Sequence, residues 1–319
     1  MVDMRTVLAG TTLPNPVMTA SGCAANGTEL NRFFPVAELG AFVTKTVMRD
    51  PRSGRPTPRM AETPSGMLNS IGLQGPGIDA FCEHDLPWLE QQGARVVVSV
   101  AGNTAEEFGE VVQRLVGSPA WGCVVGVEAN ISCPNVANRG LVFACDPVSS
   151  ERVVRIVRAR VPAEVPVLAK LTPDVTDIVT IAGAALGAGA DALTMVNTLL
   201  GIVIDTDLLR PRLAGVTGGL SGPAIRPVAV RAIWQVTAAM RSGTLPTAPV
   251  VGVGGVRTGT DALELVAAGA SAVQVGTATF NDPSAPRRVL TELEAEAARH
   301  GVERFADLVG IAHERMVRP

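Results

Sequence analysis

Val250-Val251-Gly252-Val253-Gly254-Gly255-Val256-Arg257 is the stretch on which the fold turns. Its front half is apolar without alternation, as in a parallel strand covered on both faces, and its back half is a glycine-rich turn. A dinucleotide-binding Gly-x-Gly-x-x-Gly begun at Gly252 needs glycine at position 257, where Arg257 stands, so that reading fails. The same unit, a short β-branched run and then a helical pattern, recurs along the chain. The expected strands are Pro16–Ala20, Ala41–Lys45, Arg95–Ala101, Val125–Ile131, Val165–Leu171, Asp191–Val196, Pro249–Val253 and Ala272–Gly276. Apolar-periodic segments follow at Glu29–Leu39, Ile78–Gln91, Thr104–Leu115, Ser149–Arg160, Val175–Leu186, Pro223–Arg241, Thr260–Ala268 and Ala285–Arg299. Eight such units favour an α/β fold closed as a single (β/α)8 barrel over residues 1–319, with inserted loops and strands over its C-terminal face, ahead of a doubly wound open sheet.

Composition narrows the class. With 47% hydrophobic residues in 319, the chain buries a sizeable core, and a net charge of -3 argues against a nucleic-acid partner. Mean hydropathy is +0.29, yet charge, Gly or Pro interrupts every apolar run before the roughly 20 residues a spanning helix needs. The N-terminus has no apolar secretion segment, and five cysteines without a C-x-x-C pair fit reduced thiols, so a cytoplasmic protein without metal is expected.

In such a barrel the chemistry gathers where strands end, because the loops there converge. The strand ends read Ala20-Ser21-Gly22, Lys45-Thr46, Gly102-Asn103, Asn130-Ile131-Ser132-Cys133-Pro134-Asn135, Lys170, Asn197-Thr198, Gly254-Gly255 and Gly276-Thr277. The last two glycine sites offer free backbone N–H groups for a phosphate, although glycines there also serve plain turns. Lys45 and Lys170 sit in apolar strands and each needs an anion, either a ligand or a carboxylate such as Glu128. Cys133 is set apart from Cys82 and Cys123, expected to be inert and buried, by its loop between two asparagines. His84, His300 and His313 fall in helical regions and are expected at the surface. Three long connections, Thr46–Gly77, Thr198–Gly222 and Ser132–Asp146 with Gly140 as a flexible point, are expected as lids or binding elements over the same face.

With these residues placed, the chain resembles the dihydroorotate dehydrogenase family over nearly its whole length. Asn130-Ile131-Ser132-Cys133-Pro134-Asn135 is similar to the catalytic loop, and Leu68-Asn69-Ser70-Ile71-Gly72-Leu73-Gln74 to the substrate loop. Gly218–Ile225 and the segments Gly254–Val256 and Ala268–Thr277 are similar to the flavin-phosphate region. The resemblance implies FMN as prosthetic group and oxidation of dihydroorotate to orotate. It implies Cys133 as base and Lys45 as the cation between flavin and substrate. Asn69, Asn130, Asn135, Asn197 and Thr198, with Ser70 and the backbone of Ile71, Gly72 and Leu73, would hold the substrate. Ala20, Ser21, Gly22, Lys45, Thr46, Asn103, Asn130, Lys170, Val196, Gly222, Gly254, Gly255, Gly276 and Thr277 would hold FMN.

A cysteine base and no N-terminal extension resemble the soluble class rather than the quinone-using one. Within it the loops are more similar to the NAD-linked form (class 1B) than to the fumarate-using form (class 1A). The NAD-linked form implies a homodimer working with a subunit that carries FAD and a 2Fe–2S cluster. Two departures stand out: Ser70, where the family often has alanine, and Ala144-Cys145, where Gly-Thr is more usual. A pyrimidine reductase of the same cofactor class, or a barrel that binds FMN without turnover, are the competing readings.

Overall fold

The computed structural model describes residues 2–132 and 143–314. At its centre lie β1 (Val17–Thr19), β2 (Phe42–Val43), β3 (Val96–Val100), β4 (Val124–Ala129), β5 (Val167–Lys170), β6 (Ala192–Met195), β7 (Val250–Val253) and β8 (Ala272–Val275). From β2 each strand pairs in parallel with the next through to β8, and β8 pairs with β1. The ring closes between β1 and β2. Met18 bridges Ala41, and the Thr19 hydroxyl accepts from the Val43 N–H (2.8 Å) and donates to its carbonyl (3.0 Å). This is the expected (β/α)8 barrel.

Strand parity divides the core. Side chains alternate faces along a strand, so one set points at the helices and the other into the barrel. The outward set, including Val17, Phe42, Val96, Val98, Val127, Val167, Leu193, Val250 and Val273, packs with the helices in one large cluster. The inward set, Met18, Val43, Val97, Leu168, Ala192, Val251 and Ala272, packs in a second. Leu8 and Leu13 join this inner cluster from an N-terminal hairpin of Thr6–Leu8 and Thr11–Leu13, plugging one end of the barrel. Both are fully buried, worth about 1.5–3 kcal/mol each. The sequence reading had no strands here.

Helices Ala105–Val116, Pro147–Arg158, Ile178–Gly187, Arg226–Arg241, Gly259–Ala268 and Ala285–Arg299 lie where apolar periodicity put them. Ile78–Gln91 is helical too, with a π-turn at Phe81–Asp85. Glu29–Leu39 is not one helix but two 3-10 turns, Leu30–Arg32 and Val36–Glu38. Pro35 between them lacks an N–H and disfavours helix in the residue before it. Arg95 then donates to the carbonyls of Ala37, Leu39 and Gly40, which no helix satisfies.

The connections after β2 and β6 cover the strands' C-terminal ends, and the inserted strands expected there form a sheet. Leu199–Gly201, Gly218–Ser221, Gly66–Asn69 and Met60–Thr63 form an antiparallel sheet in that order. It roofs the open end of the barrel. No described helix is long and apolar enough to cross a membrane.

Candidate active site

Two residues further along the inward parity, above the apolar layer, the barrel turns polar. Val97 is followed by Ser99, Val43 by Lys45, Leu168 by Lys170, Ala192 by Thr194 and Ala272 by Gln274. Glu128 joins them from β4, with no exposure to solvent. Its carboxylate accepts from Gln274 Nε2 (3.0 Å) and lies 3.6 Å from Lys170 Nζ, which itself donates to Ser21 Oγ (2.9 Å). The ion-pair alternative for Lys170 is therefore realised, and the lysine still reaches the cavity above. Glu128 Oε1 and Gln274 Oε1 have no hydrogen-bond partner among the described residues. A buried carboxylate and amide left part-satisfied on the floor of a cavity are suited to a polar ligand resting on them.

That cavity, about 1370 Å³, occupies the space between floor and roof. It is lined by Ala20, Ser21, Gly22, Lys45, Thr46, Asn130, Lys170, Val196, Asn197, Thr198, Gly254, Gly255, Gly276 and Thr277 from the strand ends. Asn69, Ile71, Gly72, Leu73 and Gly222 line it from the roof. Ser70 and Asn103 do not line it. Ser70 is buried away from the cavity, where its hydroxyl accepts from Arg55 (3.1 Å). Asn103 is engaged by Glu107, to which its amide donates (2.8 Å), and by Arg52 (3.2 Å). Cys133, Asn135 and Gly140 lie outside the described residues.

One wall is a continuous run of hydrogen bonds across four strand ends. Asn130 Nδ2 donates to Thr46 Oγ1 (3.0 Å), which meets Ser99 Oγ (3.0 Å). Ser132 Oγ donates to Asn130 Oδ1 (3.1 Å) and accepts from Asn197 Nδ2 (3.0 Å), and Asn197 Oδ1 accepts from the Thr198 N–H (2.9 Å). Each amide is thereby fixed in one orientation, which is what a planar ring with several donors and acceptors requires. Lys45, the residue before Thr46, lies against Gly22, where a Cβ would come 3.4 Å from Nζ.

The far end is rich in glycine backbone and cationic side chains. Gly254 and Gly255 follow β7 with φ of 139° and 75°, and a Cβ on Gly255 would lie 2.6 Å from Arg226 Cβ. Thr277 donates to Ser221 (2.8 Å), joining barrel to roof, and Arg257 and Arg288 line the same end. Glycine backbone, two arginines and hydroxyls on one side, and a floor of lysine, glutamine and serine on the other, fit FMN's phosphate and ring system.

Several lining residues were not in the sequence reading: Gln274, Cys23, Arg52, Arg257 and Arg288. Gln274 carried a signal, being a lone amide among apolar neighbours in β8. Cys23 lines the cavity; burial pushes its thiol up, while Lys170 and Lys45 pull it back. Cys82 and Cys123 are half-buried rather than buried. Burial still pushes both thiols up, Cys123 to about 11, in keeping with inert thiols. His84 and His300 are exposed, and His313 is half-buried: it stacks on Trp234 at 3.7 Å and bonds the Ala268 carbonyl.

The profile of the dihydroorotate dehydrogenase family matches residues 3–296. The chain is 49% identical over 308 residues to a protein of Citrifermentans bemidjiense, covering 97% of each. It is 48% identical to one of Geobacter sulfurreducens, again covering 97% of each, and 47% to one of Desulforudis audaxviator, covering 98% of each. All three relatives are named dihydroorotate dehydrogenase B (NAD(+)), catalytic subunit. A closed barrel with this cavity at its open end, matched over almost its full length, belongs to the dihydroorotate dehydrogenase family.

Proposed function

We propose that the chain oxidises dihydroorotate to orotate in pyrimidine synthesis, with FMN as its prosthetic group. The observation that carries this reading is the meeting, in one cavity, of Lys45 and Lys170 with the Thr46–Asn130–Ser132–Asn197 run of hydrogen bonds. Bound FMN supplies the hydride acceptor. The protein's part is to hold and orient. Asn69, Asn130, Asn135, Asn197 and Thr198 match the amide-rich ring. Lys45 offsets the negative charge that develops on reduction, and Cys133 takes the proton from the substrate. Ser21, Lys170 and the glycines at 222, 254, 255 and 276 hold the cofactor.

Electrons then pass to NAD through a partner subunit carrying FAD and a 2Fe–2S cluster. The relatives' names, which specify NAD and a catalytic subunit, support this acceptor. The working form is a cytoplasmic homodimer. Exposed Leu200 on the roof strand Leu199–Gly201, with Ile202, Leu208 and Leu209 between that strand and Gly218–Ser221, offer apolar surface for self-association.

The test is anaerobic. Purified protein is expected to be yellow, to bleach with dihydroorotate and to remain coloured with dihydrouracil. The Cys133→Ser variant is expected to bleach more slowly, most severely near neutral pH, because a hydroxyl is a far weaker base than a thiol. Bleaching by dihydrouracil alone would exclude dihydroorotate as the substrate.

A further inference from the structure

The substrate loop is braced from behind by a segment the reaction itself does not use. Arg52 and Gly75 exchange backbone hydrogen bonds (2.9 and 3.0 Å), and Ser70 donates its N–H to the Arg59 carbonyl (2.8 Å). Arg59 also donates to the Gln74 side chain (2.9 Å). At the centre of this brace is Arg55. Its N–H donates to the Ile71 carbonyl (2.9 Å), and its guanidinium donates to the buried Ser70 hydroxyl (3.1 Å). Its stem packs on Gly72, where a Cβ would sit 2.8 Å from Arg55 Cγ. Gly215 closes the knot, since a Cβ there would lie 2.6 Å from both Arg55 Nη1 and Ser70 Oγ. Among the described residues no carboxylate lies within ion-pair distance of Arg55.

What the brace holds is an uncommon backbone shape. Gly72 and Leu73 have φ of 79° and 54°, consecutive residues in the left-handed region, and the second is not glycine. Among the described residues the N–H groups of Ile71, Gly72 and Leu73 donate to no protein acceptor, and all three residues line the cavity. Successive N–H groups in such a turn form a concavity that takes an anion. Arg55 adds an unneutralised positive charge directly behind it.

The geometry points to Arg55, acting through Ser70, as a positioning residue that holds the 70–75 loop in its anion-accepting shape and thereby sets affinity for the anionic substrate. This gives the departure at Ser70 a use: its hydroxyl is the acceptor that an alanine would lack. The inference rests on the dihydroorotate reading above.

The experiment uses the FMN-loaded protein with orotate and dihydroorotate as probes. Orotate affinity is read from the shift of the flavin spectrum, and dihydroorotate reduction from anaerobic stopped flow. Arg55→Ala is expected to weaken orotate about tenfold and to raise the half-saturating dihydroorotate alike, with a smaller fall, less than about threefold, in the limiting rate. Ser70→Ala is expected to weaken orotate about threefold, and Arg55→Lys about as much, because it keeps the charge and loses the fork. The double variant should be no worse than Arg55→Ala, since one contact is removed twice. Fully additive losses, orotate affinity within about twofold of wild type in both single variants, or a loss confined to the limiting rate each overturn the proposal. If Arg55→Ala fails to fold, Ser70→Ala, which removes one oxygen atom, carries the same comparison. Wild-type protein that holds FMN but shows no response to orotate sinks the functional reading and this inference together, before any variant is compared.

Discussion

Lys170 and Glu128 share the floor of the cavity, the lysine 3% exposed and the carboxylate not at all. Neither charge has water to fall back on, so each depends on the other and on the hydroxyl and amide beside them. Lys170→Met leaves Glu128 facing only the Gln274 amide, and is expected to cost about 3–5 kcal/mol in urea denaturation of the apoprotein. Adding Glu128→Gln should recover much of that loss; no recovery would mean that the pair is not the source of the cost. The residues of this site were legible to different degrees. Lys45, Asn130 and Asn197 stood out because polar side chains at strand ends have no structural necessity. Gln274 and Cys23 were harder to assign, because a lone amide or thiol marks a position without showing which way it points. Parity settles that only once the register with Leu168 and Ala272 is known. Arg55 was invisible for a different reason: its partner Ser70 lies in a neighbouring segment, and no local spacing connects them.

At the scale of elements, the helices were read closely because their apolar faces repeat over several turns and several begin at caps such as Thr104, Asp177 and Thr258. Inserted strands were expected in the roof, but their bounds were not. Gly218-Gly219-Leu220-Ser221 has no alternation, and a strand with two glycines carries little intrinsic preference. The N-terminal hairpin was missed likewise, its strands being three residues each. Glycine is required at the turn that follows β7. Gly255 combines a positive φ with a neighbour at 2.6 Å, so Gly255→Ala must displace the start of helix Arg226–Arg241. The expected cost is about 1–3 kcal/mol in a thermal melt of the apoprotein, with FMN lost on gel filtration. An unchanged melting temperature would show that the turn yields freely.

For the whole molecule, barrel closure and the position of the cavity follow from eight repeats of one unit, which is why the architecture was readable while the bounds of the roof strands were not. The proposed route for electrons is also a property of the assembly. FMN reduction by dihydroorotate is expected from this chain alone, whereas reduction of NAD is expected only after the iron–sulfur subunit is added. NAD turnover by the isolated chain, measured as absorbance of the reduced nicotinamide, would overturn the partner requirement. The roof has one more consequence, which concerns time. Asn69 meets Gly219 across 150 residues of sequence, and β1 waits for β8 before the ring can close. Contacts so distant in sequence form late. On the ribosome, therefore, the first strand and the substrate loop are made long before the strands that complete their site. The pocket comes into being only after β8 is made, so a chain cut short before β8 retains most of the named residues and has nowhere to put a cofactor.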